Sequence, residues 1–335
     1  MIIRSKAPFR VSFGGGGTDM APYCVEHGGC VINTTIDRHS FINLEPREDK
    51  KIRVHSVNYQ KNILFDIGDR VYSGDFEIFK GIVNGLDVKD GFDITSYSEL
   101  PPGSGMGGSS SLSVALIGAF NEYYNLGLTT HEIAQKAYDI ERIELGQKGG
   151  YQDQFASSYG GFNFIEFTHE IKVTPIKTSQ EMINELHYSL ILCYVGGSHL
   201  SSDIQDEVLR GYVIEKKSYM EAMQDLKDIA HTMKEIMESN NLKNIYEFGN
   251  LLHKGWLIKK SLSSKISNKN IENFYLVSRN FGVLGGKLLG AGGGGHILLF
   301  SERNERFRVI QELEKIGGRI INFHFNPKGL EVWKF

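Results

Sequence analysis

Cysteine is scarce in this chain. Of 335 residues only three are cysteine, Cys24, Cys30 and Cys193. An odd number without Cys-x-x-Cys spacing argues against both a disulfide framework and a zinc site. Long apolar runs are missing as well. No stretch of about 18 apolar residues occurs, so no membrane span is expected. The opening Met1–Lys6 lacks the apolar core of a signal peptide. Positive charge is not in excess: 37 Lys and Arg stand against 40 Asp and Glu, a formal charge of −3. Nucleic-acid binders carry a basic face, so a polyanion is not expected as main partner. A local basic pocket for one phosphate remains open. These absences together point to a cytoplasmic protein acting on small molecules, with no membrane and no nucleic acid; oligomeric state leaves no trace in the sequence.

Familiar nucleotide and protease motifs are also lacking. There is no Gly-Lys-Ser/Thr tripeptide, so no Walker A loop, and the eukaryotic-type kinase signature is missing. His131-Glu132 has no second His to make a metalloprotease helix. Gly103-x-Gly105-x-x-Gly108 formally fits a dinucleotide fingerprint. The strand ending in Asp or Glu that should follow is replaced by Tyr124–Thr130.

Glycine, by contrast, is abundant: 38 residues, gathered in clusters. The length suits about two ordinary domains. The polar stretch Lys177–Glu185 suggests a boundary giving residues 1–182 and 183–335. Alternating apolar residues predict strands through residues 2–45, 51–80 and 93–98. Helices are predicted over 109–124 and 130–145, the latter with Ile133, Ala137, Ile140 and Ile143 on one face. Strands follow at 162–167 and 189–195, then a charged helical region over 203–260 and a helix over 270–281. The remainder reads as strand 290–300, helix 302–316, and strands 320–325 and 330–333.

The segment Pro101-Pro102-Gly103-Ser104-Gly105-Met106-Gly107-Gly108-Ser109-Ser110-Ser111 carries most information. Glycines let a backbone close on a ligand and turn its N–H groups inward. The helix that follows offers free N–H groups and the positive end of its dipole to an anion. A capped flexible turn would look the same in isolation. A second cluster, Lys287-Leu288-Leu289-Gly290-Ala291-Gly292-Gly293-Gly294-Gly295-His296, precedes an apolar strand. So many glycines imply close approach to a ligand or to another backbone; His296 reads as a packed strand-edge residue. A third, Phe13-Gly14-Gly15-Gly16-Gly17-Thr18-Asp19, sets a carboxylate after a glycine turn, suited either to sugar hydroxyls or to a cap.

In this order the clusters resemble the three motifs of the GHMP kinases, the family of galactokinase and of homoserine, mevalonate and phosphomevalonate kinases. The likeness spans nearly the whole chain. Glu141-Arg142-Ile143-Glu144 followed by Tyr151-Gln152-Asp153-Gln154 resembles the galactokinase segment that pairs a glutamate with a later Asp-Gln. Gly16 and Gly17 stand where galactokinase has Glu-His, and this Gly-Gly-Gly-Thr-Asp version is similar to that of a branch acting on heptose 7-phosphate and, more loosely, to fucokinases.

The resemblance implies an α+β protein, with an N-terminal domain of the ribosomal protein S5 domain 2-like type and a ferredoxin-like C-terminal domain. It implies ATP and Mg²⁺, with Pro102–Ser110 around the phosphates and Ser109 and Glu141 at the metal. Asp153 would be the catalytic carboxylate and Arg10 the cation beside the transferred phosphoryl group. Gly16, Gly17, Thr18, Asp19, Lys148, Gly292 and Gly293 would line the substrate, with Lys148 on a distal phosphate. Arg4, Lys6, Arg38 and Arg142 are further basic residues near these segments. The reaction expected is phosphorylation of the anomeric hydroxyl of a heptose phosphate. The alternatives are a fucokinase- or galactokinase-like sugar 1-kinase, or a silent regulator that binds ATP and sugar.

Overall fold

The computed structural model describes residues 1–72, 74, 76–197, 201–214, 216–302 and 304–335. In chain order the elements are β1 (Ile3–Gly14), α1 (Tyr23–His27), β2 (Gly29–Arg47), β3 (Lys51–Ser56), β4 (Lys61–Asp66), α2 (Glu77–Gly85), β5 (Gly91–Ser98), α3 (Gly108–Tyr124), α4 (Thr130–Tyr138), α5 (Gln152–Tyr159), β6 (Asn163–Phe167) and β7 (Ile171–Pro175). There follow α6 (Gln180–Ser189), β8 (Leu190–Gly196), α7 (Ser201–Ile214), α8 (Lys216–Ser239), α9 (Ile245–Ser261), α10 (Lys269–Asn280), β9 (Val283–Leu288), β10 (Gly295–Ser301), α11 (Arg306–Lys315), β11 (Arg319–Ile320) and β12 (Glu331–Lys334). No helix among the described residues is long and apolar enough to cross a membrane. The three cysteines are free and buried.

Two sheets organise the molecule. The first runs β12-β1-β2-β5-β3-β4, with β6 and β7 continuing from the other end of the long β2. The second is β11-β8-β10-β9, all antiparallel. The expected boundary after residue 182 falls inside α6, and β12 returns to pair with β1, Ile3 opposite Lys334. The two bodies share a core: Phe9, Val11 and Phe13 of β1 cluster with Met233 and Met237 of α8 and with Leu298 and Phe300 of β10.

Helix α3 is apolar nearly all round, with Val114 to Phe120 buried, because it is packed between the first sheet and α4 and α5. It ends where Asn125 turns left-handed, at φ 52°. α4 begins at the predicted residue, Thr130, behind a capping box: the Thr129 hydroxyl accepts from Glu132 N and the Glu132 carboxylate from Thr129 N. The single helix predicted for 130–145 changes character after Tyr138. Residues 139–144 form a π turn, closed by Leu145 N donating to Ile140 O. Such wide turns recur at functional sites, and this one carries Glu141. Residues 77–80, expected as strand, open the helix Glu77–Gly85, and α5, α6, β7 and β9 were not foreseen. The predicted strand at 290 begins only at Gly295.

Candidate active site

Three neighbouring glycine positions shape the loop before α3. Gly103, Gly105 and Gly107 take φ of 75°, 74° and 75°, each separated by one residue without positive φ. Such alternation turns successive N–H groups to one side and makes an anion-binding concavity. Gly107 is the N-cap of α3 and supplies no capping side chain, so the first-turn N–H groups stay available at the positive end of a 17-residue helix.

Arg10, buried on β1, ties this loop to the candidate catalytic carboxylate. Its Nε donates to Asp153 Oδ1 at 2.7 Å and its Nη2 to Oδ2 at 3.0 Å. Its Nη1 donates to Gly105 O at 2.6 Å. A two-point guanidinium–carboxylate contact fixes orientation as well as charge. Asp153 lies in the first turn of α5, and Gly107 leaves it room: a Cβ there would sit 3.2 Å from the Asp153 carboxyl. Its side chain is 23% exposed against 6% for Arg10, so the carboxylate faces the opening.

Glu141 is fully buried. Its Oε2 accepts from Ser110 Oγ at 3.0 Å and Gln154 Nε2 at 3.2 Å, and Arg142 Nη1 stands 3.3 Å away. Burial pushes its pKa up, against the pull of Arg142. Its Oε1 is buried without a hydrogen-bond partner. The serine brought to Glu141 is therefore Ser110; Ser109 is exposed at the helix start.

The third cluster is an internal brace. Thr18 is fully buried, its hydroxyl bonded to Gly15 O and Cys30 O and accepting from Cys30 N. Its full burial and these bonds turn the Thr18 hydroxyl to the backbone of Gly15 and Cys30, where the resemblance had set it on a sugar. Asp19 accepts from Gly17 N at 3.1 Å and Gln152 N at 3.0 Å, and burial raises its pKa. It clips the Gly14–Gly17 turn to the start of α5 and so positions Asp153. Gly16 and Gly17 are partly exposed beside it. Ser12 adds a bond to Gln152 Oε1 at 3.0 Å.

The loop before β10 packs on the Gly103–Gly107 loop by backbone contact. A Cβ on Gly290 would sit 2.6 Å from Gly105 Cα, and one on Gly295 would sit 2.8 Å from Ser104 O. His296 is buried and its Nδ1 meets Ser104 O at 2.7 Å, which bears out the packed reading. Gly292 lies against Ile266 and Gly293 N donates to Ile266 O, so both are engaged within the protein.

The basic residues separate. Arg4 stacks on Phe335, Lys6 pairs with Glu331 and Arg38 donates to Asn322 O, all away from Asp153. Arg142 neutralises Glu141. Lys148 is exposed, 3.8 Å from Asp206 of α7. Two lysines not foreseen stand closer: Lys259 on α9, donating to Gly290 O, and Lys287 on β9, donating to Phe13 O at 3.3 Å. Ser12, Gln152 and Gln154 were also missed. Gln154 was within reach of the sequence, since it neighbours Asp153 in the quoted segment.

Comparison with known proteins agrees with this arrangement. Residues 76–161 match the model of the GHMP kinases N terminal domain and residues 221–318 that of the GHMP kinases C terminal. The chain is 35% identical over 341 residues to the D-glycero-alpha-D-manno-heptose 7-phosphate kinase of Campylobacter jejuni, covering 99% of each. A crystal structure described as a D-glycero-D-manno-heptose 1-phosphate kinase from Bacteroides thetaiotaomicron superposes with a TM-score of 0.82 at 29% identity, over 99% of both chains. A Lactococcus lactis galactokinase complexed with galactose, 18% identical, has the same fold with a TM-score of 0.80 over 98% of this chain and 95% of that one.

Proposed function

The chain belongs to the GHMP kinases, phosphotransferases that use ATP as donor, and from that premise we propose that it is a sugar kinase phosphorylating the anomeric hydroxyl of D-glycero-D-manno-heptose 7-phosphate. The observation that carries the reading is the Arg10 junction. One guanidinium holds both oxygens of Asp153 and a carbonyl of the phosphate loop, so acceptor and donor sites are set against each other. The Campylobacter relative is 35% identical over full length, which favours heptose 7-phosphate over fucose or galactose.

Phosphoryl transfer needs positioning and charge neutralisation above all. Pro102–Ser110 cradles the donor phosphates with backbone N–H groups. Asp153 accepts the proton of the attacking hydroxyl or orients it; each carboxylate oxygen bonded to Arg10 keeps a further lone pair for that hydroxyl. Arg10 faces the charge of the transferring group. Asp19 and Gln152 hold the start of α5, so the carboxylate does not swing away.

Glu141 fits a magnesium site, because Oε1 is a buried carboxylate oxygen without a partner. Glu141 and the exposed Ser109 would hold the ion, a sparse set suited to Mg²⁺ on a nucleotide. When bound, the ion supplies charge neutralisation on the donor phosphates. Lys148, at the rim, is placed to meet the distal phosphate of the sugar. In this reading residues 1–182 bind ATP and residues 183–335 close over the acceptor.

An ADP-release assay over a panel of sugars and sugar phosphates tests the proposal. Heptose 7-phosphate should be used far better than heptose, galactose or fucose. Equal or higher kcat/KM on free fucose or galactose would refute the heptose assignment, and silence on every sugar would point to a regulator.

A further inference from the structure

Two lysines enter the site from the side of the second sheet. Lys287 of β9 is only 7% exposed, and its ammonium reaches Phe13 O at the end of β1. Lys259 of α9 donates to Gly290 O. Gly290 presses on Gly105, and Gly105 O accepts from Arg10. Lys259 is thus one glycine contact away from the Arg10–Asp153 pair. Lys287 crosses from one body of the molecule to the other, and Lys259 holds the glycine loop that lies on the first.

The charges around them do not balance. Asp153 is already matched by Arg10, and Asp19 faces backbone N–H groups. Among the described residues neither Lys259 nor Lys287 forms an ion pair. A buried ammonium with a lone carbonyl partner is costly, since burial disfavours the charged form. Desolvation accordingly lowers the pKa of both lysines: that of Lys259 to about 8, with Arg10 adding to it, and that of Lys287 further, with Lys259 and then Arg10 adding to it. Packing alone gives no reason for two cations here; an aliphatic side chain would fill the same volume at less cost.

We propose that Lys259 and Lys287, with Arg10, form a receptor for a terminal phosphate dianion, and are substrate-binding residues of the reaction. The inference rests on the kinase reading above. Two phosphates have this chemistry: the one carried by the sugar and the one being transferred. The lysines come from the second body and Arg10 from the first, so an anion among them draws the bodies together.

The test uses the full chain with K259M, K287M and K259R. Methionine keeps an apolar stem of similar length and removes the charge. The probes are heptose 7-phosphate, unphosphorylated heptose, and a nonhydrolysable ATP analogue with Mg²⁺, followed by titration calorimetry and by melting with and without each probe. Without ligand, K259M and K287M should melt at or above the wild-type temperature, because a desolvated charge has gone. Each should lose about tenfold or more in affinity for at least one phosphate probe, the scale of a charged hydrogen bond, and K259R should retain most of it. A loss confined to heptose 7-phosphate, with unphosphorylated heptose unaffected, assigns the anion to the sugar. A loss on the ATP analogue, or in kcat equally for both sugars, assigns it to the transferred group. Variants that melt lower yet bind every probe and turn over as before would overturn the proposal and make the lysines packing residues. Failure of the wild type to bind any phosphate probe would overturn it equally. If the wild type binds phosphate through these lysines but phosphorylates no sugar, the kinase reading fails while the receptor stands.

Discussion

The loops at 103–108 and 290–295 have nearly the same composition and opposite duties. In the first, left-handed glycines alternate with ordinary residues, and the run opens into the free N-terminus of α3. In the second, glycines remove side chains so that one backbone can lie on another, Gly290 on Gly105 and Gly295 on Ser104. Its free surface is small. Glycine richness therefore marks close approach, and only the surroundings decide whether the thing approached is a ligand or the protein itself.

Substitutions should separate the two duties. The largest effect is expected at Asp153, which the first loop holds in place. D153N should lower kcat about a hundredfold or more, the scale of general-base loss, while the protein stays folded and binds an ATP analogue; near-normal turnover would remove Asp153 from the chemistry. G290A should act through stability instead. A left-handed alanine costs about 1–2 kcal/mol, and its Cβ would also meet Gly105 backbone at 2.6 Å. Urea unfolding should show a loss of about 2 kcal/mol or more, and an unchanged midpoint would mean that the loops do not bear on each other.

The adjacent serines sharpen the contrast within the first loop. S110A removes a buried hydrogen bond to Glu141 and should cost about 1 kcal/mol of stability. S109A, exposed, should leave stability alone and raise the Mg²⁺ concentration for half-maximal turnover several-fold; E141Q should raise that concentration as well, and it also breaks the buried pair with Arg142. Identical behaviour of the two serine variants would erase the distinction.

The smallest effect is in pH dependence. Lys259 is cationic below its pKa of about 8 and neutral above it, so phosphate binding weakens as pH rises through that value. The profile of kcat/KM, which reports the free enzyme, should fall several-fold on its alkaline side, and K259R, still charged, should flatten that limb. A wild-type profile level to pH 9.5 would contradict this role.

What the sequence revealed follows from which signals are local. Helix α3 was legible because its apolar run ends at turn residues, and the phosphate loop because glycine and serine are clustered ahead of it. Arg10, Asp153 and Glu141 were found through the resemblance; spacing alone would have left Asp153 as a cap. The π turn could not be read, since the apolar pattern of 130–145 is equally that of an ordinary helix. Only the wedge of Ile140 against Gly81 and Gly85 of α2 is visible in three dimensions. Lys259 and Lys287 were hidden for the opposite reason. Lysine is by default a surface residue; nothing around Lys259 announces burial, and Lys287 opens a quoted motif in which only the glycines were given a role. Thr18 and Asp19 were correctly seen as a unit and assigned outward, whereas their polar groups close the turn from within.

The strand that carries Arg10 has one neighbour close in sequence, β2, and another from the far end of the chain, β12; Ile2 and Phe335 exchange backbone hydrogen bonds in both directions. Of the described strands β1 is made before the others, and its outer edge stays open until β12 follows. The second sheet, with its lysines, is thus an excursion enclosed within the first, and β1 is the seam where the chain is sewn shut. A circular permutant joined at Phe335–Met1 and opened in a surface turn would remove that wait, turning the slowest long-range pairing into a hairpin.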